Sequence, residues 1–340
     1  MSDISLAAKN GIENDLWQTH SQLNTLYRKV LHRLGAADQV AVARKVEKAY
    51  RNYIKVAQEF YRAYIERLYA RYHIPELQPV FTGLHLKQME LPPESVVDAQ
   101  AAGVTSDVIA SCHHTLICLG DLARYRTLQR PVKDRRWDNS LTYYSLSIAL
   151  SPESGIGHHQ IGLVHLEVRD YFHVVYHLYR AMACDKPYGL ALGNLNRAFK
   201  EALKPSDTPT TLTDKDNLRN WFVKLLARFS KQEELKSYDE MEEEVLHRFS
   251  RALRIVDDSD LQDMLRIMIL TNISAYHVAA KQARGESSFQ SVLLNHTPLF
   301  LCTDCLVPCQ KNGAKRPLWC PRSYFDGTSA RSMPLPASFA

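Results

Sequence analysis

The chain has 340 residues, 45% of them hydrophobic, and a formal charge of +5; its mean hydropathy is −0.30. That is room for one elongated helical body or two domains, with the balance of a soluble globular protein. No run approaches the ~18 apolar residues of a membrane span. The start MSDISLAAKNGIENDLW lacks a charged segment leading into an apolar core, so neither anchor nor secretory signal is expected, and the expected compartment is cytosol or nucleus.

Helical period dominates up to about residue 283. From 16 to 34, Leu16, Trp17, His20, Leu23, Tyr27, Val30, Leu31 and Leu34 recur at three-and-four spacing, and Gly35 supplies a stop. A second helix is expected over 38–73, with Val46, Tyr50, Tyr53, Ala57, Phe60, Tyr64, Leu68 and Tyr72 on one stripe and Pro75 beyond its end. Residues 74–104, with Pro79, Pro92 and Pro93, read as a long loop. Helices are then expected at 105–128, 137–150, 156–169, 171–184 and 188–203. Past a polar connector at 205–213, Thr213 or Asp214 can cap a helix carrying Leu218, Trp221, Phe222, Leu225, Leu226 and Phe229. Two more are expected near 234–254 and 258–283, and little regular structure from 297 to 340.

An internal repeat lies in the middle of the chain. Counted from Gly155, Ile161-Gly162 fall at positions seven and eight and Ala181 at twenty-seven, the frame of a tetratricopeptide unit of about 34 residues. Leu119-Gly120, Tyr144 and Pro152 match the preceding unit, stretched by a basic insertion around 129–136. The glycine of each pair lets the two helices of a hairpin approach closely. The spacing of Gly155, Gly157 and Gly162 is wrong for a dinucleotide loop, and no strand precedes them.

Inside this frame, residues 119–126 read LGDLARYR. Arg124 and Tyr125 project from neighbouring helical positions, where a guanidinium fork and a phenol can hold one phosphate together. The competing reading is a structural ion pair between Arg124 and Asp121 at i−3. The phosphate role requires that the arginine face a concave surface with a second cation near it.

The Gly120-Asp121-x-x-Arg124-Tyr125 signature resembles the GDxxRY helix motif of 14-3-3 proteins. The wider pattern is closer to the telomerase-activating "ever shorter telomeres"/SMG family, whose members act in nonsense-mediated mRNA decay and at telomeres. The matching segments are LICLGDLARYR (116–126), LTYYSLSIALSPESGIGHHQIGLV (141–164), VVYHLYRAMACDKPYGLALGNL (174–195) and LTDKDNLRNWFVKLLARF (212–229), with LW (16–17) and EFYRAYIERL (59–68) in the N-terminal helices. Together they cover about residues 12–255.

This resemblance implies an all-α fold. A 14-3-3-like domain completed by tetratricopeptide-type hairpins would span 12–203, a further α-helical hairpin region 211–285, and an irregular tail 286–340. It implies phosphate-binding positions at Arg124 and Tyr125, a backbone-gripping Asn194, and a basic position at Arg180. The family's phosphate-binding Lys falls here on Gln22; Lys29 or Arg28, a turn or two onward, can substitute only in a shifted register. The implied function is a non-enzymatic adaptor for phosphoserine or phosphothreonine segments of an RNA helicase partner. The alternatives are a telomerase-associated protein binding telomerase RNA or single-stranded telomeric DNA, and a scaffold for unmodified peptides.

Two other constellations compete. Arg130, Lys133, Arg135 and Arg136, beside Trp137, form a small nucleic-acid footprint or a solvated loop. Cys302, Cys305, Cys309 and Cys320 have short spacings of the kind zinc sites use, but CxxC followed by CxxxC fits no common knuckle, and an unstructured tail is the preferred reading. Cys112, Cys118 and Cys184 lie in helical segments and are expected to be buried thiols. His158-His159 open a hairpin and are expected to be satisfied polar residues. No GxSxG, P-loop or HExxH is present, so no catalytic residue and no cofactor is expected.

Overall fold

A computed structural model describes residues 4–37, 39–204, 213–231, 243–251 and 258–283. Its helices are α1 (Ile4–Lys9), α2 (Ile12–Ala36), α3 (Val40–Tyr72), α4 (Gln78–Gly83), α5 (Thr105–Leu128) and α6 (Asp138–Leu150). They continue as α7 (Ile156–Glu167), α8 (Tyr171–Ala183), α9 (Ala191–Ala202), α10 (Asp214–Lys231), α11 (243–251) and α12 (Asp258–Ala283). No strand forms among the described residues, and the fold class is all-α. The rest of the expected 234–254 helix, and the cysteine-rich tail with Cys302, Cys305, Cys309 and Cys320, lie outside them.

Helix α3 shows how the sequence builds the long front hairpin. Tyr50, Ile54, Ala57, Tyr61, Ile65, Leu68 and Tyr72 are buried, three or four residues apart, which places them on one face. The expected stripe shared four of these positions. It differs at Phe60, which is 49% exposed, and at Val46, Tyr53 and Tyr64, which are half-buried. At the two tyrosines the reason is the phenol: a tyrosine at the edge of the face keeps its ring packed and its hydroxyl in reach of polar partners. Tyr53 donates to the His20 carbonyl at 3.0 Å, and Tyr64 to Glu13 Oε1 at 2.7 Å. The helix ends at His73, whose φ of 44° is left-handed, just before Pro75.

Residues 74–104 are not the expected open loop. They hold α4 and two 3₁₀ turns, Pro75–Leu77 and Pro93–Ser95, with proline in the first turn of each. Leu77, Val80, Leu84, Leu86 and Ala99 are buried. The segment is tied down by Arg62, which donates to the Leu84 carbonyl at 2.9 Å and to Tyr143 at 3.2 Å. Five apolar side chains with no other core to enter outweigh the prolines' bias against helix.

The repeat frame is real in three dimensions. A Cβ on Gly120 would lie 2.2 Å from the Tyr144 ring, and one on Gly155 would lie 2.1 Å from the Ala181 carbonyl. Gly155 N–H donates to Lys186 O at 3.0 Å, and Tyr188 N–H to Ala181 O at 3.1 Å. Beyond the repeat, Thr213 caps α10 by accepting from Asp216 N–H at 3.1 Å.

Two large cores result. One joins α1 to α6, from Ile4 to Tyr143; the other joins α8 to α12, from Phe172 to Ala275, and so crosses the connector before α10. Between them Ile117, Tyr144, Ile161 and Val164 form a smaller cluster of α5, α6 and α7. The site lies along this seam.

Candidate functional site

Helix α5 carries Asp121, Arg124 and Tyr125 toward the seam. Asp121 is 5% exposed, and Tyr144 of α6 is fully buried against Gly120. Tyr144 donates its hydroxyl to Asp121 Oδ1 at 2.7 Å. The same oxygen accepts from Arg124 Nη2 at 2.9 Å, while Arg124 Nε donates to the Tyr144 hydroxyl at 3.4 Å. The guanidinium also sits 5.0 Å from the centre of the Tyr125 ring. Burial works against its charge, but Asp121, Tyr144 and Tyr125 more than offset this, and Arg124 stays protonated. The ion pair weighed against the phosphate role is therefore present, and the arginine is not turned out into bulk solvent: its side chain keeps 14% exposure.

A second cation acts on the phenol beside it. Burial pushes the Tyr125 phenol up to about 12, with Asp121 adding to the rise, while Arg124 and Arg28 oppose it. Tyr50 is likewise pushed up to about 12 by burial, with Arg28 again opposing. The charge of Arg28 on α2 is thus felt by both phenols, while its side chain is exposed. This part of α2 is fixed on α3 by the stacking of Tyr27 on Tyr50, ring centres 5.0 Å apart, and by the hydrogen bond from Tyr50 to the buried Asn24. Lys29 is exposed beside Arg28. Thr25, Arg28, Lys29, His32 and Arg33 line a basic surface hollow of about 370 Å³. Gln22 is exposed a turn and a half earlier.

The opposite side is built by α7 and α9. His159 is 2% exposed, and burial first, then Arg124, lowers its pKa to about 4. Its Nε2 lies 2.8 Å from Asn194 Nδ2, so the neutral ring accepts from the amide. Its ring also lies 4.5 Å from that of Tyr188. Asn194 is thereby joined to the surroundings of Arg124 through His159, a link between sequence-distant helices that neither helix pattern signals.

The remaining expected positions lie elsewhere. The charge of Arg180 on α8 acts on His158, His177 and Cys184: it adds to the lowering of both histidine pKa values by burial and opposes the rise that burial gives the thiol. On the loop between α5 and α6, Arg130, Lys133 and Arg136 are exposed. Arg135 instead closes the loop, donating to the carbonyls of Arg130 at 3.3 Å and Leu128 at 3.4 Å. Cys112, Cys118 and Cys184 are free and buried, as expected of packed thiols. Among the described residues no helix is long and apolar enough to cross a membrane.

The chain is thus an all-α body of helical hairpins, with the buried Asp121–Arg124–Tyr144 cluster on its seam. This chain belongs to the Est1 family: the Est1 DNA/RNA binding domain matches residues 140–315, and telomerase activating protein Est1 matches residues 11–130. It is 28% identical over 209 residues to nonsense-mediated mRNA decay factor SMG7 of Arabidopsis thaliana, 57% of this chain and 19% of that protein. To SMG7 of Danio rerio it is 20% identical over 284 residues, 82% of this chain and 22% of that protein. The chain thus spans about a fifth of the length of these relatives. Among solved structures, a chain in a crystal structure of Est1 and Cdc13 shares the fold, with a TM-score of 0.67 at 13% identity, over 87% of this chain and 63% of that one.

Proposed function

We propose that this chain is a non-enzymatic adaptor of nonsense-mediated mRNA decay, acting in cytoplasm and nucleus, that binds a phosphorylated serine or threonine segment of an RNA helicase partner. The observation that carries the reading is Arg124, fixed by Asp121 and Tyr144 and set 5.0 Å from the Tyr125 ring centre, with a basic hollow on α2 lined by Arg28, Lys29 and Arg33 from which Arg28 would supply the second guanidinium. Two guanidinium forks and a hydroxyl donor match the charge and lone pairs of a phosphate dianion. Asp121 neutralises part of Arg124 and fixes its fork, so the second arginine supplies the net positive charge. Asn194, steadied by His159, is suited to grip the bound segment's backbone. The similarity to SMG7 supports the process.

The test is the fluorescence anisotropy of a labelled helicase peptide, phosphorylated and plain, against wild type and Arg124→Glu. Binding of the phosphorylated form alone, lost in the variant, is expected. Equal binding of both forms points instead to a scaffold for unmodified peptides.

A second reading rests on the exposed Arg130, Lys133 and Arg136 and on the match to an Est1 DNA/RNA binding domain: contact with telomerase RNA or single-stranded telomeric DNA within a telomerase complex. Each phosphate contact lowers the salt slope, d log K/d log[salt], by about 0.7 for single strands. Gel shifts across a salt series are expected to weaken steeply, and less so in a Lys133→Ala, Arg136→Ala variant. A flat response ends this reading.

A further inference from the structure

The turn between α7 and α8 brings together His165, Asp170 and His173, side chains for which the phosphate and nucleic-acid readings have no use. The α7 end is closed by Arg169, in the left-handed region at φ 58°. Its N–H donates to Leu166 O at 3.2 Å, and the Asp170 N–H donates to His165 O at 3.0 Å. This paired closure of a helix C-terminus sets His165 and Asp170 at a fixed separation. Asp170 then caps α8, its Oδ1 accepting from the His173 N–H at 3.3 Å, which leaves Oδ2 facing the two rings. Oδ2 lies 2.6 Å from His173 Nδ1 and 3.5 Å from His165 Nδ1, and the three ligand atoms are all within 4.8 Å of one another.

We propose that His165 Nδ1, Asp170 Oδ2 and His173 Nδ1 form a binding site for a borderline divalent transition-metal ion of the Zn²⁺ class. Metal–ligand bonds of about 2.0–2.2 Å in a tetrahedron separate neighbouring donors by roughly 3.3–3.5 Å. The His165–Asp170 separation already has this value, and the His173–Asp170 one reaches it by a small side-chain rotation. Imidazole nitrogen disfavours Mg²⁺ and Ca²⁺, which prefer all-oxygen sites. The side chains are 20%, 33% and 24% exposed in chain order, which leaves an entry path and a fourth position for water.

The rings are held for the purpose from behind. His165 stacks on His173 at 4.8 Å and on His177 at 5.7 Å, and the edge of Phe172 packs against His173. His177 is itself fixed by its Nδ1 contact of 3.0 Å with His158 Nδ1. Packing of this kind holds ligand rings in orientation before an ion arrives. A bound ion would staple the end of α7 to the start of α8.

The competing account is that Asp170 is only a helix cap with two histidine neighbours. The full chain, stripped with chelator, separates the two when titrated with Zn²⁺ by calorimetry and with Co²⁺ by visible absorbance, with Mg²⁺ as control. One equivalent is expected, with d–d bands of nitrogen and oxygen ligation and no thiolate charge-transfer band. His165→Gln, His173→Gln and Asp170→Asn each weaken it at least about tenfold, since even outer-shell changes cost about 10–100-fold. Asp170→Asn preserves a good capping residue, so circular dichroism is expected to stay native in that variant. Cys302→Ser with Cys305→Ser leaves the binding unchanged. Binding that carries a thiolate band and ignores the three variants, or no saturable Zn²⁺ or Co²⁺ binding at all, overturns the proposal.

Discussion

Asp121 Oδ1 receives two hydrogen bonds, one from Tyr144 and one from Arg124, and this shared oxygen makes the two arginines of the site unequal. Arg124 belongs to the fold and to the proposed site. Arg124→Gln removes one partner of a pair whose side chains are 14% and 8% exposed, a loss that costs about 3–5 kcal/mol when the remaining charge stays buried. Arg28 is exposed, so Arg28→Gln is expected to change stability by no more than about 0.5 kcal/mol. Thermal denaturation of the two variants checks this, and equal melting temperatures would contradict it. His159 adds a pH dependence. Its folded pKa of about 4 lies below the 6.5 of an unperturbed histidine, so between these values the unfolded chain binds the extra proton. Its contribution to stability is complete above about pH 6.5 and declines as pH falls toward 4. The melting temperature is expected to drop through that window, with a shallower slope in His159→Gln; an identical slope would count against the assignment. At this scale the sequence was only partly legible. The local GDxxRY spacing pointed to Arg124, Tyr125 and the Asp121 pairing. Counting along α2 favoured Lys29 as readily as Arg28, because one residue is a rotation of about 100° and both cations line the same hollow.

Helices and their crossings follow the sequence more closely. The α5 bounds are those the periodicity predicts, and α7 and α8 end within two residues of expectation. The repeat frame points to Gly120 and Gly162 as close approaches, since a missing Cβ is a property of the residue itself; that Gly155, the first residue of the frame, is a third emerges only from the structure. Gly155→Ala is predicted to be the most damaging of these changes: its Cβ would meet the Ala181 carbonyl at 2.1 Å and the Tyr188 nitrogen at 3.1 Å, both backbone atoms that cannot rotate away. A loss at or above the upper end of the 1–3 kcal/mol of overpacking is expected. Gly162→Ala, which meets side-chain atoms of Leu178 at 3.0 Å and His177 Cβ at 3.6 Å, is expected to cost less. Chemical denaturation ranks the two, and the reverse order would contradict the seam described here. What the periodicity misses is α4 and its flanking turns. Leu77, Val80, Leu84 and Leu86 are too few and too interrupted by proline to show a helical face. They are ordered by the surface of α3 and by Arg62 rather than by their own pattern.

Across the whole molecule, two cores meet at the small cluster of Ile117, Tyr144, Ile161 and Val164, and the candidate phosphate site lies along that meeting line. The all-helical class was legible because amphipathic period is local; the side-chain links of α2 to α5 through Glu13 and Ser111 and of α7 to α9 through His159 and Asn194 were not, because they join residues far apart in sequence. The second core runs through Phe222, which is 1% exposed. Phe222→Ala is predicted to cost about 3–5 kcal/mol while leaving the Arg28, Arg124 and Tyr125 cluster in the other half intact. The central claim is that two arginines and one phenol select a phosphate. Its most direct test is the calorimetric ratio of affinities for a phosphoserine peptide and its plain counterpart, in wild type and in Arg28→Gln. A charge-assisted contact contributes about 1.5–3 kcal/mol, so the account predicts a wild-type ratio well above ten that falls about tenfold or more in the variant. A ratio near one in wild type, or one that Arg28→Gln leaves untouched, would contradict it.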